Sequence, residues 1–130
     1  MQTKYVYPAI FEKEDSGYSV IFPDLEIATS GEDLSEAINM ARDALCLMLY
    51  DMEERNAEIP PASELTEVAT SGKQFVSLVE CDTVEYRRFF DSKAVKKTLS
   101  IPAWLNTLAE RADINFSAVL QKALKAELNI

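Results

Sequence analysis

The sequence has no histidine among its 130 residues, which removes the commonest general base and the commonest metal-ligating ring from its chemistry. Its two cysteines, Cys46 and Cys81, fall in different predicted elements and form neither a metal-ligand spacing nor a redox motif. The expectation is two buried thiols in a reducing compartment. Three glycines and five prolines are too few for a fibrous or disordered chain. No apolar run approaches a membrane span, and the opening MQTKYVYPAI lacks the basic-then-apolar order of a secretory leader. Together these absences lead us to expect a cytoplasmic chain away from the membrane, with no metal and no cofactor.

What is present is a 48% hydrophobic composition and a strong acidic excess, formally −9. A chain of this size buries roughly two-thirds of its unfolded surface, enough for one modest core or two small modules. The charge is divided unevenly. Residues 1–91 carry 7 Lys and Arg against 19 Asp and Glu, a net of −12, and residues 92–130 carry 6 against 3, a net of +3. Such asymmetry suggests two partners of opposite charge, one basic and one anionic, the alternative on charge alone being an acidic surface that serves only solubility.

The front part reads as β-β-β-α-β. Residues 4–12 and 17–23 are rich in aromatic and β-branched residues and are separated by the polar Lys13–Gly17, an antiparallel hairpin signal. Pro8 and Pro23 cannot donate ladder hydrogen bonds and belong at strand ends, bulges or an edge. A short third strand is predicted over Glu26–Thr29. Leu34, Ile38, Ala41, Leu45, Met48 and Met52 then recur at helical spacing, widened by Ala37, Ala44 and Leu49. Asp33 followed by Glu36 is a capping-box-like start, and the helix should run to about Arg55, before Pro60-Pro61. Residues 56–73 read as a loop, Gln74–Glu80 as a fourth strand, and Asp82 as the cap of a short helix through Phe90 that ends near Ser92. We therefore place a domain boundary between residues 91 and 92.

The tail differs. Residues 96–102, KKTLSIP, alternate strictly, with Leu99 and Ile101 on one side and Lys96, Thr98 and Ser100 on the other. Pro102 suits a helix start, and a helix is predicted over Ala103–Ala112. The turn Asp113-Ile114-Asn115 leads into a second helix, Phe116–Leu128, capped by Asn115 or Ser117. A lone strand exposes unpaired backbone on both edges, and two short helices give little core. Pairing two strands about a two-fold axis resolves both problems. It would bury Leu99 and Ile101, with Leu120 and Leu124 completing the interface. A two-stranded ribbon of that width fits the DNA major groove, and the second helix's N-terminus offers amides to a phosphate.

This pattern resembles the ribbon-helix-helix family over residues 96–128. Carried over by position, the resemblance implies DNA contacts from Lys96, Thr98 and Ser100 on the strand and a phosphate clamp at Asn115 and Ser117. Thr98 and Ser100 are shorter than the Arg, Asn or Gln that many members carry, which weakens base discrimination. A helical hairpin used only for dimerisation is the alternative. The front residues YPAIFEKEDSGYSVIFPDL (Tyr7–Leu25) and SGEDLSEAINMARDAL (Ser30–Leu45) resemble the N-terminal domain of HicB antitoxins. Glu26-Ile27-Ala28 replaces that family's usual Pro-Gly-Cys stretch, so a different local turn is expected there.

The resemblance implies an α+β chain: a partial RNase H-like domain followed by a ribbon-helix-helix. It implies a front domain that covers a small basic HicA-type, mRNA-cleaving toxin. It also implies a tail that represses the shared operon on double-stranded operator DNA, as a homodimer or tetramer. Asp24, Glu26, Glu32 and Asp33 are the candidate toxin contacts. A nuclease would need carboxylates on its strands to hold Mg²⁺, and the interiors Tyr5–Phe11, Tyr18–Phe22 and Phe75–Val79 contain none, so no enzyme is expected. A stand-alone regulator with a ligand-sensing front domain and a degenerate nuclease are the competing readings.

Overall fold

Alternation of buried and exposed residues builds the sheet strand by strand. In β1 (Lys4–Glu14) Tyr5, Tyr7, Ala9 and Phe11 are buried, and in β2 (Gly17–Phe22) Val20 and Phe22 are buried. With β3 (Ile27–Gly31) and β4 (Gln74–Asp82) they form a four-stranded sheet in the order β3-β2-β1-β4, every neighbouring pair antiparallel. Phe11 lies opposite both Val20 and Phe75, and its ring stacks on that of Phe75 at 5.3 Å between centroids. The computed structural model describes residues 2–130; Met1, which opens the amino-terminal stretch read above, lies outside the described residues.

Pro8 sits in the middle of β1, not at its end, and its side chain is fully buried. The ladder explains its position. β1 pairs β2 only over Ile10–Glu14, while β4 runs along Lys4–Glu12, so around Pro8 only one side of the strand is paired with a neighbouring strand.

The helix α1 (Leu34–Glu54) begins where expected, with Asp33 Oδ1 accepting from the Glu36 amide at 2.8 Å. Its buried face is the row Ala37, Ala41, Leu45 and Leu49, with Cys46 beside it. Leu34 and Ile38, assigned to the apolar stripe by spacing, lie at its margin, 41% and 39% exposed. Close approach is the reason. A Cβ added to Gly31 would fall 2.3 Å from the Ala37 backbone nitrogen, so only small residues fit that crossing.

The helix α2 (Thr83–Phe90) follows β4 directly, with Asp82 Oδ1 accepting from the amides of Val84 and Glu85 at 3.0 and 3.3 Å. A single three-residue 3₁₀ turn, Leu65–Glu67, interrupts the connection from α1 to β4.

The chain divides into two compact units, one ending at Lys93 and the other running Ala94–Ile130. The second unit contains α3 (Ala103–Arg111) and α4 (Phe116–Leu128). Pro102 is the residue before α3, its carbonyl accepting from the Asn106 amide at 3.1 Å. Between the helices Asp113 takes a left-handed conformation, φ 55°, and Ile114 N–H donates to the Ala109 carbonyl at 3.0 Å, closing the helix end. The whole molecule is thus mixed α and β. No helix among the described residues is long and apolar enough to cross a membrane.

Candidate functional site

The second unit has two amphipathic helices and no buried residue. Residues 91–102 form no helix or strand in the single chain. Within that stretch Lys96, Thr98 and Ser100 are exposed, and so are Leu99 at 63% and Ile101 at 45%. Leu105, Leu108, Phe116, Val119, Leu120, Leu124 and Leu128 are exposed as well. These side chains, spaced at helical intervals, give each helix an exposed apolar face.

At the start of α4 Asn115 Oδ1 accepts from the Ala118 amide at 3.0 Å, which makes Asn115 the cap. Ser117 lies in the first turn, its Oγ accepting from Gln121 Nε2 at 3.4 Å. The remaining first-turn amides have no acceptor within the helix and carry its positive end. The structure thus brings Asn115 and Ser117 together, while Lys96, Thr98 and Ser100 lie on the chain ahead of α3.

In the front unit the four acidic candidates separate into two pairs at opposite ends of β3. Asp24 and Glu26 precede the strand. Asp24 accepts from the Ser63 amide at 3.0 Å and from the Ser63 hydroxyl, so it anchors the loop after α1. Nearby the Tyr7 hydroxyl donates to the Pro60 carbonyl. Burial pushes the Tyr7 phenol up from its ordinary value, and the Asp24 charge adds to the shift. Glu26 occupies the left-handed region at φ 55°. Glu32 and Asp33 follow the strand, the first exposed and the second committed to capping α1.

Two groupings escape the sequence reading. Glu53, near the end of α1, accepts from the Tyr5 hydroxyl at 3.0 Å, the Thr83 hydroxyl at 2.9 Å and Arg87 Nη2 at 3.2 Å. Arg87 also bonds Glu54 and lies over the Tyr50 ring, 4.7 Å from its centroid. This knot ties β1, α1 and α2 at one end of the sheet. Only the match of acidic Glu53-Glu54 to a later Arg87 hinted at it. Cys46 and Cys81, remote in sequence, are the second grouping: both are buried and both line one cavity of about 690 Å³. Among the described residues no group of three or more His, Cys, Asp or Glu is placed to hold a metal ion.

The family described as "HicB_like antitoxin of bacterial toxin-antitoxin system" matches this chain over residues 7–123. Antitoxin HicB 2 of Photorhabdus laumondii is 38% identical over 73 residues, which is 55% of this chain and 48% of that protein. The chain therefore aligns with about half the length of that relative. An uncharacterised 14.9 kDa protein of Haemophilus phage HP1 is 30% identical over 104 residues, covering 77% of this chain and 75% of its own length. Among solved structures, a chain of a toxin–antitoxin complex from Streptococcus pneumoniae superposes with a TM-score of 0.61 at 31% identity, over 95% of this chain and 99% of that one. The antitoxin HicB of Burkholderia pseudomallei gives 0.55 at 24% identity, over 92% and 96%, a likeness of fold alone.

Proposed function

The chain belongs to the HicB-like antitoxin family, and from that footing we propose a cytoplasmic, non-catalytic antitoxin that works as a homodimer or higher even oligomer. Its front unit, a partial RNase H-like domain, binds and covers a small basic HicA-type, mRNA-cleaving toxin. Its tail pairs with that of a second copy as a ribbon-helix-helix and represses the shared operon on double-stranded operator DNA.

The observation that carries this reading is the tail's exposed apolar surface. Residues 96–102 have no strand partner in their own chain, and Leu99, Ile101, Leu120 and Leu124 stand exposed. A second copy supplies both missing pieces, since antiparallel pairing of the two segments completes the backbone bonds and lays the leucines of four helices over one another. Lys96, Thr98 and Ser100 then face outward together, three from each chain, on a ribbon that enters the major groove. The start of α4, with Asn115 and Ser117, fixes the ribbon by taking a phosphate. The acidic front unit repels DNA and attracts a basic protein, which keeps the two partners on different units. Asp24, Glu26, Glu32 and Asp33 are the toxin-facing charges in this reading.

Replacing Lys96, Thr98 and Ser100 together by Ala should abolish operator binding and leave toxin binding intact. Unchanged affinity in a gel-shift assay overturns the assignment. Binding by the native chain should also weaken steeply as salt rises, because phosphate neutralisation releases counterions. Co-purification with the basic product of an adjacent gene tests the front unit. The alternative, a stand-alone regulator with a ligand-sensing front unit, draws on the open cavity beside α2 and gains if no such partner is retained.

A further inference from the structure

Cys46 lies on the buried side of α1 next to Leu45, and Cys81 lies on β4, opposite Tyr5 on the core face of the sheet. Neither thiol is among the residues assigned above to toxin or DNA. They are 8% and 4% exposed, yet both line an open cavity whose wall includes Lys4, Arg42, Asp43 and Tyr86. Both thiols face this one cavity, near enough for each to shift the other's protonation.

That proximity divides the labour between the two sulfurs. The neighbouring Cys81 thiol pulls the Cys46 thiol below its ordinary value, and Arg42, one turn earlier on α1, assists against opposition from burial, Asp43 and Glu85. The same proximity, with burial behind it, pushes the Cys81 thiol far up. Cys46, with Arg42 on the same cavity wall, is therefore the sulfur placed to attack, and Cys81 shares that wall in the place of a resolving one.

We propose that Cys46 and Cys81 form a thiol-oxidation site that takes a small peroxide and closes to a disulfide tying α1 to β4. The Cys46 sulfur attacks one peroxide oxygen and the O–O bond breaks. Cys46 becomes a sulfenic acid, and the departing oxygen takes the thiol proton and leaves as water, or as an alcohol from an organic peroxide. The Cys81 sulfur then attacks the Cys46 sulfur, the S–O bond breaks, and hydroxide leaves with the Cys81 proton as a second water. The two thiols lose two electrons and the peroxide gains them. The bond closes the chain from residue 46 to residue 81, which holds the α1–β4 contact shut and restricts the unfolded chain.

The test uses the full chain and hydrogen peroxide. We expect thiols titrated after denaturation to fall from two per chain to none, with the mass lower by about two units and fully restored by dithiothreitol. The oxidised form should melt at least about 4 °C higher than the reduced form. In Cys81→Ser the sulfenic acid on Cys46 should persist and be trapped by dimedone, and Cys46→Ser should give no dimedone adduct. Cys46→Ala with the same result shows that the loss follows the sulfur and not the serine hydroxyl. Two free thiols after a peroxide exposure that oxidises a free-cysteine peptide overturn the proposal. So does a product crosslinked between chains, or a dimedone adduct at Cys81 in place of Cys46.

Discussion

Among the described residues Thr83 is the one buried polar side chain of the core, 1% exposed, and its hydroxyl divides a single proton between the Thr3 carbonyl at 3.1 Å and Glu53 at 2.9 Å. Thr83→Val keeps the shape and removes that donor beside a carboxylate, so it should cost about 1–3 kcal/mol in urea denaturation, while Thr83→Ser should recover most of the loss. Tyr5, on the same carboxylate, gives a pH-dependent counterpart. Burial, with the Glu53 hydrogen bond and charge behind it, pushes its phenol up to about 12. The unfolded chain releases that proton near 10, so between about 10 and about 12 the folded state binds more protons than the unfolded one. Stability from this group is complete below about 10 and is lost as the pH rises through about 12. Tyr5→Phe should therefore be less stable than the native chain at pH 8, and the gap should close across that alkaline window. A gap of constant size in denaturant midpoints at every pH would rule the linkage out. Neither Thr83 nor Glu53 could be singled out from the sequence, because a buried hydroxyl and a paired glutamate look like surface residues until the fold joins positions thirty apart.

The packing of β3 and α1 rests on the absence of a side chain at Gly31, where an added Cβ would meet the Ala37 nitrogen at 2.3 Å and its Cα at 2.6 Å. Backbone on an element start cannot step aside, so Gly31→Ala should cost about 3 kcal/mol in urea denaturation, as overpacking does. Gly72→Ala is the natural contrast. Gly72 has φ +59° and nothing within 4 Å of its would-be Cβ, so only the left-handed penalty of about 1 kcal/mol applies. Equal losses from the two would show that steric approach is not what fixes the crossing. Most of this arrangement was legible beforehand: the hairpin, the Asp33 cap, the end of α1 and the Asp82-capped helix all follow from local spacing. The rotation of the buried face of α1 was not. Counting apolar positions weights Leu34 and Ile38 above Ala37 and Ala41, whereas the sheet selects by volume at the point of closest approach. Cys46 and Cys81 escaped for a related reason, since their meeting depends on that same rotation and on the register of β4 against β1.

At the scale of the molecule, the split between an acidic front and a basic tail was plain in the charge count, and the tail's helices lie where their spacing put them. Which surface meets a toxin was not legible, because solvated and contact carboxylates share one composition, and two of the four candidates prove to be bonded within their own unit. The proposed pairing of two tails does have a decisive signature. All five tyrosines, Tyr5, Tyr7, Tyr18, Tyr50 and Tyr86, belong to the front unit, and the single tryptophan, Trp104, belongs to α3. Tryptophan and tyrosine signals therefore report the two units separately. If the tail's core exists only between copies, its unfolding is bimolecular, and each tenfold dilution removes about 1.4 kcal/mol of apparent stability per dimer. The Trp104 midpoint should fall on dilution, while the tyrosine midpoint of a unit with its own buried core should hold. Leu120→Asp with Leu124→Asp should abolish the Trp104 transition and shift the chain to monomer size, leaving the tyrosine transition in place. A Trp104 midpoint that stays fixed over a hundredfold range of concentration would mean that the tail is complete within one chain, and the proposed DNA-reading ribbon would have no second strand.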